Sequence, residues 1–279
     1  GASFVDSKGA ATSLKNGSVV DVDASQAAYL AGYASAGMTT TGTLAVIGGE
    51  RDNVTSSQMS AFSQGVDAYN LANGTSITVL GWNPVTSDGT YAGSADEVRT
   101  ATADAISQGA DIIAPFAGEA NEGAARAVTE AANPTVRLVW SGLTKNDLKG
   151  LTRDEAQSAE TAPMSGQSGA PVSQQVDTQS FADAFSYIQI SDEVRSAIGA
   201  PVLTGVVVDY KAAMETLIAQ ASAGEKASVV PVSLASGGVI LTGFGSYTPM
   251  LSSELKLGLS DMAGQIETGG MVISTPFDV

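Results

Sequence analysis

The sequence predicts an α/β fold on a parallel, doubly wound sheet. Three observations predict it. Short apolar runs of four to six residues are continuous rather than alternating, as expected of strands buried on both faces. Segments of helical periodicity follow those runs, and three βα units succeed one another before Trp140. Hydrophobic residues make up 43% of the 279-residue chain and charged residues 15%, so a sizeable core is available and global disorder is disfavoured.

Taken in order, Ser18–Val20 reads as a short strand and Ala24–Met38 as an Ala-rich helix carrying Tyr29, Leu30 and Tyr33. Thr43–Ile47 is an apolar run ending in Gly48-Gly49, the pattern of a buried strand entering a tight loop. Met59, Phe62, Val66 and Tyr69 share one helical face. Thr55, Ser56 or Ser57 can cap that helix, and Asn73-Gly74 stops it. Ile77–Leu80 is the next strand, ending at Gly81-Trp82. Ser94 and Glu97 form a capping box, which opens a helix running to Gln108-Gly109. Asp111–Ala114 is a strand, Pro115–Gly118 a loop, Asn121 to about Ala132 a helix, and Val136–Trp140 a strand.

Residues 144–180 break the rhythm. Rich in Ser, Gln, Gly, Ala and Pro, they read as a surface excursion, with Arg153–Ala162 favouring helix. Order resumes at Tyr187–Ile190. Leu203–Val208 is a strand, Tyr210–Ala223 an amphipathic helix, and Val229–Ser233 leads into Gly237–Leu241. A helix from about Ser253 to Thr268 and a strand at Met271–Ile273 close the chain.

Composition removes several function classes. Cysteine and histidine are absent, which excludes disulfides, thiolate nucleophiles, Cys/His zinc sites and the commonest general base. No metal or cofactor is implied. Thirteen basic against 29 acidic side chains give a net charge of −16, which argues against nucleic acid as a partner. No stretch is apolar enough to span a bilayer. The opening residues Gly1–Asp6 carry no export signal, so any such segment is expected to have been removed or left out of this sequence.

Several motifs in order carry a resemblance. Ala27–Tyr33, Gly37–Gly42 and Val46–Gly49 are followed by Gln108–Ile113, Pro115–Gly118 with Gly123, Val202–Thr204 and Gly237–Val239. Together they resemble the basic-membrane-protein (PnrA-like) family of ABC-transporter substrate-binding proteins, over nearly the whole chain except residues 144–200. The resemblance implies a type I periplasmic-binding fold: two Rossmann-like lobes with parallel sheets and a ligand cleft between them. It places a remnant of the first lobe at 1–40 and 203–226. The second lobe takes 41–202 and 227–279, with a surface insertion at about 144–185. The family opens with more sheet before the point matching Asp6-Ser7, so the first lobe is expected to be N-terminally incomplete.

Relatives bind nucleosides. They place an aspartate after the strand matching Val136–Trp140, where this chain has Trp140, Ser141 and Gly142. They also carry a lysine at the position of Val208. The loops after Ile47, Leu80, Ala114 and Trp140 should line the cleft, and an aromatic beside polar groups suits a planar base joined to a sugar. The candidate ligand residues are Asp6, Trp82, Phe116, Gly118, Asn121, Trp140 and Ser141. Trp82 and Phe116 are expected to serve the ligand more than the fold, although each could equally pack in the interior. Glu119, Asn121 and Glu122 suit a helix start, and Glu50-Arg51-Asp52 reads as a solvated charge run.

The expected function is capture of a small polar ligand, a nucleoside by preference, outside the cytoplasm and its delivery to an ABC permease. A lipid anchor would lie in an N-terminal segment absent from this chain. A sugar or other solute, or a non-transport interaction or sensor role, is the alternative. An enzyme is disfavoured: Asp21 and Asp23 are the nearest carboxylate pair, and their spacing ahead of a helix fits capping.

Overall fold

The computed structural model describes residues 2–5, 11–14, 17–149, 188–225 and 228–276. Strands β1 (Ala2–Val5) and β2 (Ala11–Leu14) pair antiparallel, and β3 (Val19–Val22) leads into α1 (Ser25–Met38). Then come β4 (Thr43–Gly48), α2 (Asn53–Asn73), β5 (Thr78–Leu80) and a hairpin of β6 (Trp82–Asn83) and β7 (Asp88–Gly89). They are followed by α3 (Ala95–Ser107), β8 (Ile112–Phe116), α4 (Asn121–Ala131) and β9 (Arg137–Leu143). The antiparallel pair β10 (Leu148–Lys149) and β11 (Gln189–Ile190) precedes α5 (Asp192–Ile198). The chain then runs through β12 (Val202–Val208), α6 (Lys211–Ser222), β13 (Val229–Val232), β14 (Val239–Leu241) and α7 (Ser253–Glu267).

Six strands form the central sheet, in the order β14-β12-β9-β8-β4-β5. All pairings are parallel except β12 with β14. The chain enters at β4, steps out to β5, then returns across β4 to β8, β9 and β12, so the sheet is doubly wound as expected. Helices α1, α2 and α7 cover one face around Leu30, Met59, Phe62 and Leu259. Helices α3, α4 and α5 cover the other around Val98, Ala105, Ala124 and Val128. Apart from that sheet, β3 pairs parallel with β13, and α6 lies along β13.

The residues of the recognised motifs do identifiable work. Helix α1 is buried on nearly every side because α2, α7 and the sheet all press on it. Gly65 sits against the Tyr29 carbonyl and Gly32 against the Phe62 carbonyl, so α1 and α2 meet backbone to backbone. Thr39, Thr40 and Thr41 wrap the buried Asp111 carboxylate. It accepts from Thr39 Oγ1 (2.5 Å), Thr40 N (2.6 Å), Thr40 Oγ1 (2.7 Å) and Thr41 N (3.2 Å). Two sequence blocks some 70 residues apart thus meet at one carboxylate.

Several expectations change. Asp52, rather than Thr55, Ser56 or Ser57, caps α2, its Oδ1 accepting from Thr55 N at 2.8 Å. Strand β8 runs on through Pro115 and Phe116, which had been read as loop. β9 pairs only with Ile112 and Ile113, so the missing Pro115 N–H interrupts no bond to that neighbour. Met271–Ile273 is not a strand; Ile273 instead closes over the core. The capping box at Ser94 and Glu97 is present with both of its bonds. Arg153–Ala162, Tyr187 and most of the 144–185 excursion lie outside the described residues.

Candidate functional site

Strands β4, β8, β9 and β12 end along one edge of the sheet, the edge at which open α/β sheets take ligands. Close approach there depends on glycine. A side chain at Gly48 would strike Met59, Thr55 and Tyr91, and one at Gly49 would meet the Ala117 backbone. The loops after β4 and β8 therefore abut, joined by Gly49 N donating to Phe116 O at 3.1 Å. Arg51 pairs with Asp88 at 3.3 Å and lies 5.9 Å from the Tyr91 ring centroid, while Ser56 and Tyr91 share a 2.8 Å hydroxyl contact. The Glu50-Arg51-Asp52 run is thus a cap and an ion pair as well as a solvated edge.

Of the expected site residues, Phe116, Gly118, Asn121 and Ser141 come together at the ends of β8 and β9. Asn121 is buried and links three segments. Its Oδ1 accepts from Ala117 N at 2.8 Å, and its Nδ2 donates to Ser141 Oγ at 3.0 Å and to Ser141 O at 3.2 Å. Ser141 Oγ in turn donates to Pro115 O at 2.6 Å. Gly118 is exposed, with φ +60° and open space where a side chain would stand, and its carbonyl accepts from Asn121 N. Asn121 is consequently a tie between loops rather than the helix cap that its position suggested.

The aromatic residues sit elsewhere than at an open cleft wall. Phe116 is 4% exposed and meets Phe62 edge to face, 6.3 Å between centroids. Trp82 is 7% exposed, lies over Gly89 in the hairpin, and its indole N–H has no hydrogen-bond partner among the described residues. Both belong to the core under α2. Trp140 is half-buried on the opposite face of the sheet, where it lines a groove of about 610 Å³ with Arg126, Thr129, Val194 and Ile198. Asp6 lies outside the described residues.

The edge also carries a pair that sequence reading missed. Lys145, just after β9, stands 3.5 Å from Asp209 Oδ2, just after β12. Asp209 Oδ1 accepts from Lys211 N at 2.9 Å, and Asp209 N donates to Gly238 O at 2.7 Å. The available signal was a charged residue within a few positions after each apolar run, but only the pairing of β9 with β12 brings the two together. Among the described residues no group of acidic side chains could hold a metal ion, and no helix is long and apolar enough to cross a membrane.

A family model described as "ABC transporter substrate-binding protein PnrA-like" matches residues 3–147. No curated protein matches the chain. Among solved structures, the chain is similar to an ABC-transporter solute-binding protein of Conexibacter woesei DSM 14684, at 15% identity and TM-score 0.52 over 91% of this chain. It is also similar to one from Aeropyrum pernix K1, at 16% identity and TM-score 0.57 over 92% of this chain. A transcriptional activator of the comK gene from Bacillus halodurans matches at 13% identity and TM-score 0.57 over 95% of this chain. The chain spans about two thirds of those structures: 64%, 66% and 69% of their respective lengths. Its fold is theirs, the type I periplasmic-binding fold, with a predominantly parallel sheet.

Proposed function

Because the chain belongs to the PnrA-like family of ABC transporter substrate-binding proteins, we propose that it is the solute-capturing component of an ABC importer. In this reading it works outside the cytoplasm, takes a small polar ligand into a cleft between two lobes, and presents the closed form to a membrane permease. A nucleoside is the preferred ligand and a sugar the alternative. A lipid anchor on a preceding segment would hold it at the cell surface. No covalent chemistry is assigned to it.

The observation that carries this reading is the conjunction of the family match with a polar strand-end edge. Asn121 and Ser141 shape the loops there, Gly118 is exposed in the loop after β8, and Lys145 and Asp209 stand at the same edge. In the lobe division we favour, the first-lobe remnant is β3, β13 and α6. It excludes α1, which packs on α2, and β12, which is hydrogen-bonded into the central sheet. Hinge closure would bring that remnant toward the strand-end edge.

Thermal unfolding against a panel of purine and pyrimidine nucleosides, bases and sugars tests the reading. A ligand at about 100 times its Kd stabilises the native state by about 2.7 kcal/mol, a rise of about 5 °C or more for a chain of this size. A shift confined to one ligand class supports the reading and names the class. A clean transition with no shift across the panel overturns it.

A further inference from the structure

We propose that Arg137 and Arg195 bind a tetrahedral oxyanion of the phosphate type, at the edge of the central sheet opposite the strand-end edge. The inference is independent of the solute-binding reading. Arg137 opens β9, and Arg195 on α5 reaches the start of β12, its Nη1 donating to Val202 O at 2.9 Å. The two strands are paired here, with Leu138 opposite Val202. Both guanidinium groups meet the 3-10 turn Gly245–Met250, which follows β14. The Arg137 guanidinium carbon stands 4.9 Å from the Tyr247 ring centroid, and a Cβ on Gly245 would lie 3.1 Å from Arg195 Nη2.

The missing counter-charge is the first argument. Arg51, Arg99 and Arg126 each have a carboxylate partner and stand in the open. Arg137 is 6% exposed and Arg195 half-buried, yet neither makes an ion pair among the described residues. Carboxylates are not scarce in a chain of net charge −16. Those at hand are committed: Asp192, on the helix of Arg195, pairs with Lys149, and Asp111 is filled by the donors of Thr39, Thr40 and Thr41. Burial pulls the Arg195 guanidinium below its ordinary value, and Asp192 and the Tyr247 phenol only offset this. A buried charge normally has a partner, and this pair has none in the protein.

Unspent donors are the second argument. Arg137 Nη1 donates to Met38 O at 3.3 Å, but its Nε is enclosed without a partner, as is Arg195 Nη2. Each guanidinium is thus fixed by one bond to a backbone carbonyl and keeps a buried N–H unused. A planar carboxylate takes two parallel bonds from a single fork, whereas a tetrahedral oxyanion accepts from groups on separate elements. The turn between them is held by Gly245 N donating to Gln189 Oε1 at 2.9 Å. Ser246 is exposed and Tyr247 half-buried, so the cluster borders solvent.

Thermal unfolding of the full chain against inorganic phosphate tests the site, with chloride holding ionic strength fixed. The midpoint should rise and saturate with phosphate, and acetate should produce no such rise. Arg137→Met and Arg195→Met should weaken the apparent phosphate affinity about 10-fold or more, while Arg99→Met, from an exposed pair, should leave it unchanged. Without phosphate, Arg137→Met should melt no lower than wild type, because it removes an unpaired buried charge. A purely structural guanidinium predicts the opposite, a midpoint lowered equally with and without phosphate, and that result overturns the site. Glycerol phosphate in a parallel titration distinguishes the sources: tighter binding than phosphate assigns a phosphate monoester, and weaker binding the free ion. Arg195 is half-buried, so Arg195→Met decides the matter if Arg137→Met folds poorly. No saturable phosphate response in wild type, or an equal response in wild type and Arg195→Met, overturns the proposal and leaves the transport reading standing.

Discussion

Asn121 on α4 and Ser141 on β9 are joined side chain to side chain by a 3.0 Å hydrogen bond, and through it the ends of two neighbouring strands are held in one arrangement. Ser141 accepts from Asn121 and donates to Pro115, while Asn121 also holds the Ala117 amide. Asn121, Ser141 and Pro115 are buried and Ala117 partly so, so water is a poor substitute for most of these bonds.

Removing the amide should therefore destabilise the protein. Asn121→Ala leaves Ala117 N and both Ser141 acceptors, Oγ and O, without their partner, at a cost of about 1–3 kcal/mol. The urea midpoint should fall at an unchanged m-value. Ligand affinity should fall as well, since the loop after β8 loses its tie to β9.

The backbone contact between α1 and α2 leaves no room for a methyl group. In Gly65→Ala the new carbon would run into the Tyr29 carbonyl, a backbone atom that cannot turn aside. We expect a loss of about 2 kcal/mol or more, seen as a lower Tm, because the helices must separate along their length. Gly264→Ala, in open space on α7, should cost nothing measurable and serves as the control.

Trp82→Ala and Phe116→Ala should act on stability first. Both side chains are core, so each truncation is expected to cost about 3–5 kcal/mol in denaturant unfolding. Trp82→Phe should cost much less, because the indole N–H it removes has no partner among the described residues.

Alkaline pH should unfold the protein earlier than exposed tyrosines would allow. Burial pushes the phenol of Tyr29 up, and neighbouring Tyr33 adds to the effect; burial likewise raises Tyr33, with Tyr69 beside it. The folded state keeps protons that the unfolded chain releases. Stability is then full below the ordinary tyrosine value of about 10 and falls as pH rises through the folded values. Urea midpoints at pH 9, 10 and 11 should decline, and the decline should be shallower in the Tyr29→Phe, Tyr33→Phe double variant.

Most of the scaffold was legible because its signals are local. The box at Ser94 and Glu97, the stop at Gly74, and the shared face of Met59, Phe62 and Val66 each depend on residues within one or two turns. Continuous apolar runs marked the central strands for the same reason. The hairpin around Trp82 and Gly89 was not legible, since its strands have two residues each and no alternation to read. Met271–Ile273 misled because an apolar triplet packing as coil has the composition of a strand.

The site was harder to read than the scaffold. The position of Asn121 at a helix start pointed to capping, yet its partner is Ser141, 20 residues away. The pairing of Lys145 with Asp209 exists only because β12 lies beside β9, a fact of topology rather than of spacing. Aromatic residues beside strand ends suggested ligand stacking, but α2 packs over both Trp82 and Phe116 and takes them into the core.

The parallel pair β3 and β13, with α6, is tethered to the rest of the chain at three places. Two residues separate Val22 from Ser25, two separate Val208 from Lys211, and six separate Val232 from Val239. Two of these tethers are too short to slide or to twist independently, while each can still bend at its own dihedrals. Val232 is also buried in the core that α1 builds, with Val20, Val22 and Val230 packed against it. Short covalent paths and a shared core thus fix the registry of this pair against the rest of the chain, and a longer insertion in either short tether would loosen it.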